Sequence, residues 1–220
     1  RSTLFPYTTL FRSPDMWKQG IGDEFKDYYW RTDTSRDQMT GAILGNAALY
    51  DFTDDPETKA NAKQFLMDVA DHVWDHKLAI FDWDGKMTTY GDMSGERLEG
   101  LPVGNGQAAV CVLAWFKIAY HVSGEPRFKQ YYDELMNTRN YLKILREREW
   151  TYSGYATKWY NTYMSFENWY HLMRLEEDPA LRAKLADIFR DTLWLNTDDK
   201  TVNRRAILER VVILDQTATI

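Results

Sequence analysis

Apolar residues recur along this chain at intervals of three and four, in stretches broken by short acidic turns, and the arrangement occurs three times. The copies read LYDFTDDPETKANAKQF, AYHVSGEPRFKQYYDEL and LMRLEEDPALRAKLADIF. Each predicts a helix, a tight turn and a second helix beginning at Pro56, Pro126 or Pro179. Proline suits the first helical position, where its missing N–H has no intrahelical partner to lose. Asp55, Glu125 and Asp178 stand at or beside the N-cap, where negative charge faces the positive end of the helix. The second helix of each pair carries one apolar stripe. Ala62, Phe65, Leu66, Val69, Ala70, Val73 and Trp74 mark it in the first pair. Phe128, Tyr131, Tyr132, Leu135 and Met136 mark it in the second, and Leu181, Leu185, Ile188 and Phe189 in the third. The first helices are more apolar around their circumference. Ala108 to Tyr120 has only Lys117 to break it, which predicts burial on all sides.

A ring of buried helices inside a ring of one-faced helices is an all-α, incomplete (α/α) toroid. About three hairpins are visible over residues 14–196, with a small β-hairpin in a loop. A plain helical solenoid is the competing architecture. In a toroid the inner helices run parallel, so their N-termini open on one face. The connections returning to that face, Lys77 to Gly106 and Asn137 to Tyr160, are long, and long loops at the mouth of a scaffold are where sites collect.

Candidate chemistry gathers at those helix openings. The first reads Arg31-Thr-Asp-Thr-Ser-Arg-Asp-Gln38. Ser35 with Gln38 forms a capping box, which is a structural role. Asp33, Arg36 and Asp37 around it supply two carboxylates and a guanidinium able to orient a sugar or share a proton. Asp33 and Asp37 are the catalytic candidates, with Arg36 and Gln38 as binding residues; a purely structural role has equal claim. The second opening, Val103-Gly-Asn-Gly-Gln107, offers Asn105 and Gln107. The third offers Trp159, Tyr160 and Asn161, its rings suited to stack on a sugar, although aromatics at helical spacing more often belong to a core. Ala79 to Gly91 predicts a β-hairpin turning at Asp84-Gly85, which brings Tyr90, Asp92 and Glu96 to the mouth. Asp82 and Asp84 lack the spacing and distal Glu of a calcium loop. Converging helix N-termini favour an acidic ligand such as a uronic acid.

Composition narrows the partners. Aromatics make up 15% of the 220 residues, and the formal net charge is −6. An acidic chain without a basic stripe argues against nucleic acid, and no apolar run is long enough to span a membrane. A single cysteine, Cys111, excludes an intramolecular disulfide. His72 and His76 stand at the i,i+4 spacing of a helical metal pair but lack the intervening pattern and a third ligand. They read as ordinary surface histidines, and no metal or other cofactor is expected. Residues 1–13 stand apart from the fold, because Thr3 to Ser13 (TLFPYTTLFRS) matches the translation of a short-read sequencing adapter. Without Arg1 and Arg12 the net charge becomes −8. After Asn196 the helical pattern lapses, and residues 197–220 read as a truncated or frame-shifted tail.

RTDTSRDQMTGAILGNAALYDF followed, after a helix, by FDWDGKMTTYG resembles bacterial proteins of the six-hairpin glycosidase-like superfamily. Asp82, Asp84, Gly85, Lys86, Thr88 and Gly91 match a DxDGKxTxWG hairpin, with Tyr90 in the place of Trp. Ser35-Arg36-Asp37-Gln38 departs from the Ser-Ser-Asp-Glu opening of other members and lacks the His that follows it there, which sets this chain on another branch. The resemblance implies the toroid and a carbohydrate ligand. It implies a hydrolase or, among related toroids, a lyase, and such proteins are often exported. The leading expectation is a glycoside hydrolase acting on an oligo- or polysaccharide, with Asp33 and Asp37 in its cleft. A lyase would use Tyr90 with Arg97. A non-catalytic helical-repeat binding scaffold is the alternative of a different class. An open ring exposes apolar inner-helix surface, so the chain by itself is expected to be poorly soluble and inactive. The pattern specifies neither linkage nor oligomeric state.

Overall fold

The computed structural model of the chain describes residues 17–20, 22–96, 105–146 and 159–194, the side chains of 159–163 and 194 excepted. These residues are mostly helical, with seven α-helices and two small antiparallel β-hairpins. In order they are β1 Trp17–Gln19, β2 Tyr29–Arg31, α1 Arg36–Phe52, α2 Pro56–Asp75, β3 Ala79–Phe81 and β4 Met87–Asp92. Then follow α3 Gly106–Ser123, α4 Pro126–Asp133, α5 Tyr141–Arg146, α6 Trp159–Arg174 and α7 Pro179–Phe189. Both α4 and α7 run on into a wide π turn, Glu134–Thr138 and Arg190–Trp194.

The three proline turns form for the local reasons the sequence offers. Pro56, Pro126 and Pro179 each open a helix, and Asp55, Glu125 and Asp178 are the extended N-caps. The Asp55 carboxylate accepts the Thr58 N–H at 2.8 Å, and that of Asp178 accepts the Ala180 N–H at 2.8 Å. Glu125 makes no cap bond; its longer side chain meets Arg127 instead.

Helix α3 is the centre of the packing and touches α1, α2, α4, α5 and α6. Between Ala108 and Ala119 every residue but Lys117 is buried. The Lys117 ammonium is satisfied within the protein, 2.9 Å from the Glu176 carboxylate, which also accepts the Tyr132 hydroxyl at 2.7 Å. That pairing ties α3 and α4 to the turn between α6 and α7. The first and third helical pairs also meet, since α1 touches α6. Where α1, α3 and α6 converge, Asn168 is wholly buried. It accepts Trp115 Nε1–H at 3.2 Å and donates to the Met164 carbonyl at 2.8 Å, with Cys111 Sγ at 3.3 Å and Thr40 Oγ1 at 3.5 Å. At the other end of the three helices, Asp51 of α1 meets His121 of α3 and Arg174 of α6. Their C-termini therefore gather, and the three helices run parallel.

Two expectations need correcting. Helix α1 is not buried on all sides: Gly41, Ala42, Gly45, Ala48, Leu49 and Phe52 form an exposed stripe, and Phe52 is 85% exposed. Its neighbours α2, α3 and α6 cover the face carrying Thr40, Ile43 and Ala47, and among the described residues none covers the opposite one. His72 and His76 are not surface histidines. Both are half-buried; His72 Nε2 accepts the Phe81 N–H at 3.1 Å and the His76 ring stacks on Phe81 at 4.7 Å, fastening β3 to α2.

The expected hairpin is β3–β4. It turns through an Asp82 N–H to Lys86 carbonyl bond of 2.8 Å and a Gly85 N–H to Asp82 carbonyl bond of 3.0 Å, with Gly85 in the left-handed region at φ 74°. Lys86 pairs with Asp84 at 2.9 Å, so a lysine ammonium stands against the turn's carboxylate. At Gly91 a Cβ would fall 2.5 Å from the Ile80 carbonyl oxygen, so only glycine fits the close strand crossing. The second hairpin, β1–β2, was not expected. Its strands pair Trp17 with Arg31, Lys18 with Trp30 and Gln19 with Tyr29. Trp30 packs edge-on against Trp83 of the other hairpin, with ring centroids 6.4 Å apart.

Candidate functional site at the helix N-termini

Because α1, α3 and α6 are parallel, their N-termini share the end opposite Asp51. The β3–β4 hairpin is fixed to this end by Asp33. This residue holds a left-handed backbone, φ 61°, which aspartate tolerates better than most residues. Its N–H donates to Asp82 Oδ2 at 2.8 Å. Its two carboxylate oxygens accept the Thr89 N–H at 2.6 Å and the Thr89 hydroxyl at 3.0 Å. Three residues on, Arg36 reaches across and donates to the Asp92 carbonyl at 3.1 Å. The segment after β4 lies against the start of α3, where the Asn105 N–H donates to the Gly95 carbonyl at 2.7 Å. At Gly95 a Cβ would lie 2.9 Å from that of Ala109, so this segment presses on the first turn of α3.

The structure thus brings Asp33, Arg36 and Asp92 together, but it assigns several of these groups to structural bonds. Both oxygens of Asp33 are engaged by Thr89. One oxygen of Asp92 accepts the Ser94 N–H at 2.9 Å. Asn105 is the N-cap of α3, its side-chain oxygen accepting the Ala108 N–H at 3.1 Å. Gln38 accepts the Ser35 N–H at 3.0 Å, which is its half of the capping box. Asp37 is exposed and accepts the Ser35 hydroxyl. Tyr90 is 59% exposed, and Gln107 is half-buried in the first turn of α3. Trp159, Tyr160 and Asn161 form the first turn of α6, but their side chains lie outside the described residues, as does Arg97.

Two features escaped the sequence reading. The first is Glu167, the one acidic residue of α6. It is half-buried and stands beside Asn168 in the sequence. Burial pushes the Cys111 thiol up to about 12, and the charges of Arg36 and Glu167 are both felt there, in opposite senses. The second is a group of exposed rings on the two hairpins. Tyr28, Tyr29 and Trp83 are 66%, 64% and 63% exposed, and Phe25 is 54% exposed. The Lys18 ammonium lies 5.8 Å from the Trp83 ring centroid. The run of three aromatics at Tyr28-Tyr29-Trp30 was the available signal, but no turn motif announced β1–β2.

Among the described residues, no group of three His, Cys, Asp or Glu is placed to hold a metal ion, and no helix is long and apolar enough to cross a membrane. Comparison with protein-family models, curated proteins and solved structures gives no match for this chain.

Proposed function

We propose that this chain is part of a carbohydrate-active enzyme, a glycoside hydrolase of oligo- or polysaccharides built on an incomplete α/α toroid. The observation that carries the reading is the set of exposed rings on the two hairpins beside an acidic helix-end surface. Tyr28, Tyr29, Trp83 and Tyr90 offer rigid faces with polar edges, which suit a sugar's C–H face and its hydroxyls together. Arg36 reaches the β3–β4 hairpin at the Asp92 carbonyl, and Asp37 adds an exposed carboxylate at the same helix end. The toroid is favoured over an extended solenoid because α1 and α6 touch, whereas stacked repeats contact only their neighbours.

Hydrolysis of a glycosidic bond uses two carboxyl groups, one to protonate the departing oxygen and one to activate water or attack the sugar. With Asp33 spent on Thr89, Asp37 is the candidate that stays accessible, and Glu167 of α6 is the second acid proposed for the pair. Because the chain by itself is expected to be inactive, the test is a screen of a protein that carries this chain within a closed ring, against glycosides and uronic-acid polymers. Release of reducing sugar that disappears in Asp37→Asn, at unchanged melting temperature, is the expected result. Full activity in Asp37→Asn would remove this assignment, and a new ultraviolet absorbance from a C=C bond would indicate a lyase. A second reading, a non-catalytic glycan- or protein-binding scaffold, draws support from Asp33 and Asp92, whose carboxylates serve backbone groups. Binding without turnover would favour it.

A further inference from the structure

The C-terminal ends of α1, α3 and α6 meet in a cluster of charged side chains for which the proposed activity has no use. Asp51 lies 2.8 Å from His121 Nε2 and accepts from an Arg174 guanidinium nitrogen at 2.9 Å. That same nitrogen lies 3.5 Å from His171 Nδ1. A guanidinium can only donate, so this contact favours a neutral His171 ring that accepts at Nδ1 and carries its proton on Nε2. Contacts spanning 70 and 123 residues of sequence thus join three helical pairs through one carboxylate.

Each group depends on the others. Asp51 sits in the last turn of α1, where the helix dipole disfavours an anion. Burial also pushes its carboxyl up, yet bonds from His121 and Arg174 outweigh both and hold it below the usual range. Burial pushes the His171 ring down to about 4, and Arg174 beside it acts in the same direction. The charges felt at His171 are Arg174 on its own helix, Asp51 on α1 and His121 on α3. Tyr170 meets it edge-on at 5.0 Å. Helix α2 reaches this corner through Lys59, which lies over Tyr50, itself against His121.

We propose that this cluster is an acid-released latch, which holds the C-terminal ends of the three central helices together at neutral pH and lets them part when His171 takes up a proton. A proton on Nδ1 sets one N–H donor against another and places a further cation beside a single carboxylate. Arg174 must then turn away, and its bridge to Asp51 goes with it. At the other end, the polar groups that join the helices are Thr40, Cys111 and Asn168, and the one thiol among them is pushed up to about 12 by burial. Release is therefore local to the C-terminal turns. As to sign, the fold favours neutral His171. The latch is complete above the ordinary histidine value of 6.5 and is lost as pH falls from there toward about 4.

Proton NMR titration of the chain and hydrogen exchange at pH 7 and pH 5, corrected for intrinsic rates, test this together. His171 should titrate well below 6.5. Amides of 48–53, 119–124 and 171–175 should lose about tenfold in protection by pH 5, while those of 40–44 and 111–115 keep theirs. His171→Gln still offers Arg174 an acceptor but takes up no proton, and should retain its protection at both pH values; Asp51→Asn should already be open at pH 7. A His171 midpoint at or above 6.5, equal loss in both layers, or the same loss in His171→Gln would overturn the proposal. If His171→Gln does not fold, the titration of the unaltered chain still decides.

Discussion

Replacing Asp33 by alanine removes the side chain that clasps the β3–β4 hairpin to the entry of α1. The carboxylate accepts from the Thr89 N–H at 2.6 Å and from the Thr89 hydroxyl at 3.0 Å. Hydrogen bonds to a charged group contribute about 1.5–3 kcal/mol each. Thr89 is exposed and water can replace part of the loss, so the pair together amounts to about 2 kcal/mol. Asp33 also holds φ 61°, where alanine costs about 1 kcal/mol more than a residue that tolerates the left-handed region. The expected loss is therefore about 3 kcal/mol, or about 6–12 °C in melting temperature for a domain of this size. Controls separate the two parts. Asp33→Gly relieves the backbone but loses the bonds, for about 2 kcal/mol. Asp33→Asn keeps an acceptor and the left-handed preference, for about 1 kcal/mol. Urea unfolding followed by tryptophan fluorescence gives each value from the midpoint, provided the slope is unchanged. An alanine variant within about 0.5 kcal/mol of the parent would refute the clasp. If the same variant also lost glycan turnover, Asp33 would be a catalytic residue after all.

Three further substitutions probe other parts of the molecule. Asn168→Ala leaves Trp115 Nε1–H without its acceptor at a buried site, and a loss of about 3 kcal/mol in urea unfolding is expected; under about 1 kcal/mol would mean that water or a neighbour takes over. Glu176→Gln leaves the Lys117 ammonium, only 12% exposed, without its counter-charge, for a loss of about 3 kcal/mol at pH 7. Burial pushes the Glu176 carboxyl up, but bonds from Tyr132 and Lys117 outweigh it and hold it below 4.5. Its stabilisation is present above that value and lost as pH falls through the lowered one, so Glu176→Gln should flatten this part of the acid limb of a stability–pH curve. Trp83→Ala and Tyr90→Ala remove rings that are 63% and 59% exposed. Stability should change by less than about 0.5 kcal/mol, while affinity for a glycan found in the screen falls about tenfold; unchanged affinity would place the ligand elsewhere.

What could be read in the sequence divides by distance along the chain. The proline turns were legible because their causes are local: a proline at the first helical position, an acidic N-cap beside it and an apolar stripe behind. The burial of α3 was legible because Ala108 to Ala119 leaves no polar face except at Lys117. The β3–β4 turn was legible from Asp84-Gly85. By contrast, the partner of Lys117 lies at Glu176, that of Asp33 at Thr89 and that of Thr40 at Asn168. No local pattern encodes such pairings. Which helix carries the exposed apolar surface expected of an open ring was illegible for a related reason. Gly41, Ala42, Gly45 and Ala48 count as apolar in any periodicity, and only the set of neighbouring helices decides whether they are covered. The strands of β1–β2 are three residues long, too short for an alternating pattern to emerge.

The same contacts that assemble the helix-end surface also determine which of its acids are available for chemistry. Asp33 spends both oxygens on Thr89 of the hairpin, and Asp92 commits one oxygen to the Ser94 N–H. Asp37 sits at the edge, where it is exposed, and accepts only a neighbouring hydroxyl. Glu167 lies on another helix whose position relative to α1 and α3 is set by the buried Asn168. A catalytic pair needs a fixed separation between two carboxyl groups that remain free to exchange protons. Asp37 stands on α1, a rigid helix, and its carboxylate accepts a side-chain hydroxyl instead of a backbone donor. Asp33 precedes α1 and has both oxygens engaged by Thr89. That is why its removal is expected to show in the unfolding midpoint, whereas removal of Asp37 is expected to show in turnover.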